Sequence, residues 1–552
     1  MSASSKKTLR KEQEAAAMTE KQLAQQKEDK KLKIATISFV AIMALVVCIA
    51  VGTLLYRAYD QSGLPEQNTV AMTIGDRKLT SAELNYFYME SISNQYNNWY
   101  SQYGSYMSMY LSMYGLDLSM PLNSQYMDEA KSYTWANYFA DMAVSSAVSA
   151  YGQYDKAMAD ANFKLSDELQ ATLDKLPETL KEEAKSNKYS NVKDYLVAMY
   201  GPGSTEETYI NFVKVMSISN AYAENYYNSL EYTADQKAAH DAEHALDYNT
   251  YSYAYTYLNA TNYRQGGTKG EDGKVTYSDA EIAAAVEAAK ADADLLATAT
   301  DLAAFDSMIK GLEINAEKEA AESTKNNGTF VSQVNSLYKE WLTDSSRKAG
   351  DIGVFASTSS TKDAEGNTVT NTDGYYVVFF NECNKNEMNL INVRHILLEH
   401  KPAEGSTTIT DADKMVTEQK ANDLLQKWKD GEATEESFAA LVKDNTADGG
   451  SKENGGLYEN VYPGMMVTNF NDWCFAEGRK AGDTGVVLSD FGYHIMYFVG
   501  EVDQTYRDYM ITNAMKSDDL DKWAKETYDA VKYEVLNISR LNLDLVLAPN
   551  AF

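Results

Sequence analysis

Three kinds of hydrophobic pattern along this 552-residue chain predict a membrane-spanning helix, amphipathic helices and short strands. Ile34–Tyr56 runs for 23 residues without a charged side chain. At 1.5 Å per residue that run is long enough to cross a hydrocarbon core of about 30 Å. Residues 390–398 and 493–497 are short runs of β-branched and aromatic residues, typical of strands. Apolar side chains at helical spacing follow Thr80, namely Leu84, Phe87, Tyr88 and Ile92.

The charges around the long apolar run predict its orientation. Residues 1–33 carry nine Lys/Arg and five Asp/Glu, and only Arg57 follows the run closely. The positive-inside rule places residues 1–33 in the cytoplasm and the chain after Tyr56 outside. A cleaved signal peptide is the alternative, but the tail and the apolar run are both long for one. We therefore expect an uncleaved anchor.

The region after a short linker reads as a mainly helical module. Residues 70–80 have the pattern of a strand, a turn and a helix start, with Thr80 and Glu83 in a capping-box arrangement. Residues 93–127 are rich in Tyr, Met, Ser and Asn. These side chains suit an adaptable peptide-binding surface, or equally a helical core with tyrosines at its rim.

Composition narrows the functional classes. The formal net charge is −30, which argues against nucleic-acid binding because such binding relies on Lys and Arg. The length implies three or more domains. Three cysteines cannot form a disulfide framework, although a bridge between Cys383 and Cys474 stays open. The 41 tyrosines suit broad contact surfaces.

Residues 389–502 contain an ordered set of motifs. They begin with Arg394-His395-Ile396-Leu397 and continue through a Gly-Gly-Leu turn that ends at Leu457. Met466 and Phe470 follow, and then Phe491-Gly492-Tyr493-His494-Ile495. In this order and spacing they resemble a parvulin-type peptidyl-prolyl cis-trans isomerase domain. The helix start near Thr80 is similar to the N-terminal module of extracytoplasmic parvulin foldases of the PrsA and SurA type.

The resemblance implies a set of site residues. His395 and His494 would be paired histidines linked by hydrogen bonds, with Asp448 near the rotating carbonyl and Ser489 as a hydroxyl in the same network. Asp444, one helical turn earlier, is the alternative to Asp448. Leu457, Met466 and Phe470 would line the proline-ring pocket, although Met466 and Phe470 could instead be ordinary core residues. The reaction needs no cofactor and no metal, because it breaks no covalent bond.

An internal repeat precedes this stretch. Trp341-Leu342 and Arg347-Lys348-Ala349-Gly350-Asp351 parallel Trp473-Cys474 and Arg479-Lys480-Ala481-Gly482-Asp483. Tyr376 stands where His494 does, and the first predicted strand, residues 248–258, has no histidine. We interpret this region as a second, catalytically silent parvulin-like domain.

A zinc peptidase is a competing hypothesis. His240-Asp241-Ala242-Glu243-His244 fits the H-x-x-E-H pattern, and on a helix both histidines would share one face. A third ligand such as Glu313 or Glu317 would be required. A solvated helix end is the simpler interpretation.

The sequence thus predicts an α+β, multidomain foldase with one transmembrane helix, a helical chaperone module and two parvulin-like domains. Its partners would be the membrane and unfolded or newly exported polypeptides with X-Pro bonds. A binding-only chaperone and an envelope scaffold remain alternatives. The predicted segments are a cytoplasmic tail (1–33), the anchor (34–56), a linker (57–69), the chaperone module (70–239), the degenerate domain (240–388), the isomerase domain (389–502) and a C-terminal helix returning to the chaperone module (503–552). Within the isomerase domain we expect a helix over Asp411–Lys429, with its apolar residues on one face. We expect Ser517 to cap the C-terminal helix.

Overall fold

The computed structural model describes residues 4–11, 47–317, 321–362, 366–403 and 406–547. Most of the predicted transmembrane helix, residues 34–46, lies outside this range, while residues 47–60 are helical. Among the described helices, none combines the length and apolar character needed to cross a bilayer. The chain forms two compact units, Met1–Leu230 with Asp518–Phe552, and Glu231–Ser517.

The first unit is mainly helical and contains one small sheet. The capping box predicted at Thr80 is present, with Glu83 bonded back to the Thr80 backbone. Tyr86, Phe87 and Phe139 are among its largest fully buried side chains. Its elements up to Leu230 are α1 (Leu64–Asn68), β1 (Val70–Ile74), β2 (Arg77–Thr80), α2 (Ser81–Tyr103), α3 (Met107–Met113), α4 (Trp135–Ala159), α5 (Asp167–Ser186), α6 (Val192–Tyr200) and α7 (Glu206–Ser229).

The second unit contains two four-stranded antiparallel sheets. Its first half holds the elements α8 (Ala234–His244), β3 (Thr250–Asn259), β4 (Thr268–Lys269), β5 (Val275–Thr276), α9 (Asp279–Leu296), α10 (Leu302–Gly311), β6 (Thr324–Phe330), α11 (Lys339–Thr343), β7 (Ile352–Lys362) and β8 (Thr368–Asn384). Its second half holds β9 (Asn389–Leu398), α12 (Asp411–Lys429), α13 (Glu435–Asn445), β10 (Leu457–Val461), α14 (Thr468–Cys474), β11 (Thr484–Ser489) and β12 (Gly492–Thr505).

The two sheets share one strand order. The first runs β6-β3-β8-β7 and the second β10-β9-β12-β11. Gly374 in β8 and Gly492 in β12 both have positive φ, and a Cβ at either would collide with the carbonyl oxygen of a leucine on the neighbouring strand. A bulkier residue would therefore push the central strands apart in either sheet. The structure thus places the repeated sequence motifs at matching positions of two matching sheets.

Each face of the second sheet has its own apolar cluster. Ile396 and Ile495 pack with Phe438 of α13 on one face, whereas Val393, Met496 and the α14 residues pack on the other. This division follows from the two-residue period of a strand. His395 shares the α14 face because it lies two residues after Val393.

The C-terminal segment rejoins the first unit. The last helix, α15 (Tyr506–Ala530), leads to β13 (Tyr533–Val535), which pairs with β1 in the order β13-β1-β2. Sequence reasoning started the last helix at Ser517, which was wrong because the helix begins at Tyr506, directly after β12. Ser517 is interior to the helix and caps nothing.

The cysteine chemistry is simple. All three cysteines are free, so the bridge left open between Cys383 and Cys474 does not form. Cys383 is exposed, whereas Cys474 is buried in the cluster around Phe470.

Candidate active site

The two central strands of the second sheet bring the predicted histidines together. In the antiparallel pairing of β9 with β12, His395 lies opposite Met496 and His494 lies opposite Leu397. The histidines are therefore diagonal neighbours on one face, within reach of each other. Their Nδ1 atoms lie 3.0 Å apart, and the ring centroids are 5.2 Å apart. Both side chains are buried.

Asp448 extends the pair at the His395 end. It follows α13, and its Oδ2 lies 2.9 Å from His395 Nε2. The hydroxyl of Tyr458 donates to the same oxygen at 3.0 Å, and the hydroxyl of buried Ser451 also donates to it. The alternative carboxylate, Asp444, is exposed on α13. Of the two acidic residues considered, Asp448 is therefore the one that contacts the histidines.

Ser489 extends the pair at the His494 end. Its hydroxyl lies 2.7 Å from His494 Nε2, at the point where β11 ends. The same oxygen accepts a hydrogen bond from the backbone N–H of Phe491 at 3.2 Å. A second acceptor, the carbonyl of Gly492, lies 3.4 Å from the hydroxyl and is the weaker partner by distance. The four predicted polar residues thus form one continuous chain.

Burial and hydrogen bonding set the charges of Asp448 and of the two histidines. Burial would raise the pKa of Asp448, but hydrogen bonds from Ser451, His395 and Tyr458 outweigh it and lower that pKa to about 2. Burial lowers the pKa of His494 to about 4, with repulsion from His395 contributing. Burial also lowers the pKa of His395, and the bond to Asp448 offsets this only in part. Near neutral pH the site therefore holds one carboxylate and two neutral imidazoles.

These charges determine the direction of every hydrogen bond. An ionised carboxylate only accepts, so His395 Nε2 carries a hydrogen and its Nδ1 is bare. His494 must then donate from Nδ1, which leaves its Nε2 bare and ready to accept from the Ser489 hydroxyl. The hydrogen bonds point one way, from Ser489 through both rings to Asp448. Protonation of His395 would place two hydrogens between the Nδ1 atoms unless His494 changed tautomer. Protonation of His494 would instead place its added hydrogen at Nε2, facing the Ser489 hydroxyl.

The predicted apolar pocket is placed in part. Phe470 of α14 is 2% exposed and meets both histidines edge-on, at 5.5 Å from His395 and 5.3 Å from His494. Met466 is partly buried and packs in the same cluster. Leu457 was expected beside them, but it pairs with Arg394 and lies on the opposite face of the sheet from His395. Because side chains alternate along a strand, the next residue of β10, Tyr458, lies on the same face as His395 instead.

Two residues of the site were missed from sequence. Tyr458 pairs with Val393, and its ring centroid lies 5.2 Å from that of His395. Ser451 is 1% exposed, with its hydroxyl 3.3 Å from His395 Nε2. Tyr458 faces the site because it pairs with Val393, which lies on the same face of the sheet as His395. The alternation of side chains along β10 could therefore have identified Tyr458. Nothing in the local sequence distinguishes Ser451 from an ordinary loop serine.

Two contacts with β9 fix the loop that carries Asp448. The Arg394 guanidinium pairs with Glu435 at 2.9 Å and donates to the carbonyls of Asn454 and Gly455. Gly456 has φ +75°, and a Cβ there would collide with the carbonyl of His395. Gly456 also accepts a hydrogen bond from the His395 backbone N–H at 2.9 Å. The glycine lets the loop approach β9 closely enough for Asp448 to reach the ring.

The H-x-x-E-H motif has a different environment. His240 Nε2 lies 2.7 Å from the hydroxyl of Tyr248, and the ring of His240 stacks on that of His244 at 4.6 Å. Among the residues that the structure describes, no three His, Cys, Asp or Glu side chains are placed to hold a metal ion. Glu313 and Glu317 thus do not complete a zinc site with these histidines.

The fold and the hydrogen-bonded series from Ser489 to Asp448 indicate the class of domain that contains the second sheet. Residues 375–501 match the sequence profile of the PPIC-type PPIase domain, so this part of the chain is a parvulin-type peptidyl-prolyl isomerase domain. The match begins within β8 and ends within β12.

Curated relatives share this region. The chain is 30% identical to foldase protein PrsA 1 of Listeria innocua over 114 residues, which cover 21% of this chain and 32% of the relative. It is 40% identical to foldase protein PrsA 4 of Bacillus cereus over 80 residues, 14% of this chain and 26% of that protein. The match thus spans about a third or less of each relative.

Solved structures also align with this chain. The crystal structure of PrsA from Bacillus subtilis aligns with 73% of this chain and 89% of its own, at 13% identity and a TM-score of 0.24. The solution structure of NmPin, the parvuline of Nitrosopumilus maritimus, aligns with 20% of this chain and 98% of its own, at 29% identity and a TM-score of 0.15.

Proposed function

We propose that this protein is a peptidyl-prolyl cis-trans isomerase and chaperone that assists the folding of exported polypeptides. The observation that carries the proposal is the continuous chain Ser489–His494–His395–Asp448 lying against the edge of the Phe470 ring. An apolar ring beside oriented polar groups suits a substrate that joins a proline ring to a rotating amide.

The chemistry requires no covalent intermediate. Amide resonance makes the barrier to X-Pro rotation about 18–20 kcal/mol, and it places negative charge on the carbonyl oxygen. The ionised Asp448, close to that oxygen, disfavours the charge-separated resonance form and so weakens the double-bond character of C–N. A 10⁴-fold acceleration needs only about 5.5 kcal/mol of preferential stabilisation of the twisted amide.

The histidines have a positioning role in this mechanism. His395 donates to Asp448 and, together with Ser451 and Tyr458, keeps it ionised and fixed. His494 holds the His395 ring through the Nδ1 contact, and Ser489 holds His494. Met466, which is partly buried and packs beside the buried Phe470 ring, offers the proline ring an apolar surface. Preorganised groups of this kind need no rearrangement as the amide twists.

The test is catalysis itself. The purified chain should accelerate cis-to-trans isomerisation of a series of short X-Pro peptides, whereas His395→Ala and His494→Ala should lose most of the acceleration. Absence of acceleration by a folded, wild-type chain would refute the isomerase and leave the binding-only chaperone as the better hypothesis.

The chaperone role is supported by an exposed surface of the first unit. Between α2 and the loop that follows α3, large apolar side chains are open to solvent, including Tyr106, Met113 and Tyr114 at 65%, 76% and 68% exposure. Flexible Met and amphipathic Tyr suit contact with varied unfolded chains. Met113→Ser/Tyr114→Ser should weaken suppression of the aggregation of a denatured client and leave short-peptide isomerisation intact. Unchanged suppression would remove this surface from the proposal.

We also propose the membrane anchor at residues 34–56, with the chain from residue 57 onward outside the cytoplasm. The support is the uncharged 23-residue run and the lysines at positions 30, 31 and 33 that precede it. Protease added to intact cells should digest an epitope tag after residue 57 and spare one placed before residue 30. The reverse pattern would invert the topology.

A further inference from the structure

The first sheet of the second unit repeats the candidate site with tyrosines in place of histidines. Tyr376 lies two residues after Gly374, as His494 lies two after Gly492. Tyr255 pairs with Val378, four residues after Gly374, as His395 pairs with Met496, four after Gly492. The rings of Tyr255 and Tyr376 lie 5.9 Å apart. Tyr255 and Tyr376 thus occupy the two histidine positions.

The helix beneath the site is repeated as well. Tyr338 precedes Trp341 by three residues, as Phe470 precedes Trp473. The Tyr338 ring lies 6.4 Å from Tyr255 and 5.8 Å from Tyr376, which reproduces the contacts of Phe470 with both histidines. An arginine lies over each tryptophan, Arg347 over Trp341 at 4.9 Å.

More rings gather around this position. The ring of Tyr257 lies 4.6 Å from that of Tyr376, tilted by 30°. Phe355 of β7 lies between Tyr338 and Trp341, in ring contact with each. Tyr338 is buried, whereas Tyr255, Tyr257, Tyr376, Phe355 and Trp341 keep part of their surface exposed. We call these five partly exposed residues the tyrosine face.

We propose that the tyrosine face binds proline-containing segments in an extended conformation without isomerising them. The inference rests on the proposed function, because it takes this sheet as a copy of the isomerase domain. Proline-rich segments favour the polyproline II conformation, which leaves backbone carbonyls free to accept hydrogen bonds. Aromatic rings pack against pyrrolidine rings, and tyrosine hydroxyls donate to the free carbonyls. The face thus supplies both contacts that such a segment needs.

The same substitutions remove the means of catalysis. The imidazole pair that fixes an ionised Asp448 in the second sheet is replaced by two phenols at the corresponding positions of the first. Burial raises the pKa of Tyr376 and of Tyr338, so these phenols stay uncharged at neutral pH. A bound amide would meet rings and hydroxyls that hold it without an adjacent histidine-bound carboxylate.

Charge indicates which segments are preferred. Residues 240–388 carry 24 Asp/Glu and 12 Lys/Arg, so the domain repels acidic chains and favours neutral or basic ones. A bound segment would also be retained next to the isomerase site on the same polypeptide, because β8 and β9 are joined by a short connection between Asn384 and Asn389. That tether raises the local concentration of further X-Pro bonds.

Photo-crosslinking locates binding on the whole chain. A short peptide with several prolines, flanking lysines and a photo-leucine next to one proline is irradiated with the protein, and the crosslinked fragments are mapped. We expect crosslinks on β3 or β8 as well as on β9 or β12. Crosslinks on the second sheet alone would overturn the inference and leave the isomerase proposal standing. Crosslinks on the first sheet alone, with no isomerisation, would uphold the inference and reject the isomerase.

A pair of variants tests the face directly. Tyr257→Ala/Tyr376→Ala should weaken peptide binding at the first sheet about tenfold, because two partly exposed ring contacts are lost. Tyr375→Ala is the matched control, since it removes the same side chain from the next position on the opposite face. It should leave binding unchanged. Equal loss in both variants, or a preference for the acidic counterpart of the peptide, would contradict the proposal. The wild-type crosslinking map decides the matter if the double variant does not fold.

Discussion

The Nδ1 atoms of His395 and His494 lie 3.0 Å apart, so two rings that sit 99 positions apart in sequence share a single hydrogen between them. One Nδ1 must donate and the other must accept. Because Asp448 accepts from His395 Nε2, the hydrogen belongs to His494.

This arrangement predicts the tautomers. At pH 7 the ¹⁵N spectrum should show His395 protonated at Nε2 and His494 protonated at Nδ1. Asp448→Asn should disturb both rings, since an amide can donate to His395 Nε2 and so reverse the direction of the chain. The opposite tautomers in the wild-type protein would contradict the hydrogen-bond order. His244, which is outside this site, serves as an internal control in both spectra.

The lowered pKa values predict an acid-sensitive isomerase domain. Between pH 6.5 and about 4, His494 binds a proton in the unfolded chain but not in the folded one, so stability is full above pH 6.5 and falls as the pH drops through this window. The loss approaches about 3 kcal/mol for this group. Asp448, with a pKa of about 2, adds a further loss between about pH 4 and pH 2. Its hydrogen bonds from Ser451, His395 and Tyr458 weaken there as the carboxylate is protonated.

Hydrogen exchange of the β9 and β12 amides measures this local stability. His494→Gln, which cannot titrate, should flatten the slope between pH 6.5 and 4. An unchanged slope in that variant would assign the acid sensitivity to other groups.

Replacing His494 should separate the two sheets functionally. His494→Ala removes the partner that holds the His395 ring, and misplacement of an active-site group typically costs about a hundredfold in rate. We expect a loss of that order in kcat/KM for a short X-Pro peptide. Tyr376→Ala, at the corresponding position of the first sheet, should change it by less than about twofold. Equal losses would overturn the assignment of catalysis to the second sheet.

Phe470 should matter for both stability and substrate binding. Phe470→Ala removes a fully buried ring from the α14 face and should cost about 3–5 kcal/mol. Phe470→Leu should cost less and raise KM more than it lowers kcat, because the polar chain stays in place. Denaturant unfolding and steady-state kinetics measure the two effects. Val467→Ala, at a 40% exposed position of the same segment, should be nearly neutral. A kcat loss in Phe470→Leu equal to that of His494→Ala would argue against a binding role.

The histidine pair could be predicted from sequence because each strand is marked by its own apolar run and each carries one histidine. The helix over Asp411–Lys429 was predicted with its observed bounds, since Thr410 and Asp413 cap it and Asp430 ends it. Leu457 was misplaced because motif order carries no information about which face of β10 a residue takes. Ser451 was missed because its burial depends on the path of its loop, which is fixed by Arg394 of β9 and by the close approach of Gly456 to β9.

The start of the last helix could not be predicted from the sequence for a different reason. Its first turns follow β12 without an intervening turn residue, so no local signal marks the start at Tyr506. The anchor prediction stays a prediction, because residues 34–46 lie outside the described part of the chain.

The pairing of β13 with β1 has a consequence for the order in which the protein is made. The strand that completes the small sheet, Tyr533–Val535, is synthesised some 460 residues after its partner, which at about 5–20 residues per second is a delay of roughly 20–90 s. Glu231–Ser517 leaves the ribosome within that interval and contains all the strands of both its four-stranded sheets. The isomerase domain can therefore fold before the final strand of the helical unit has been synthesised.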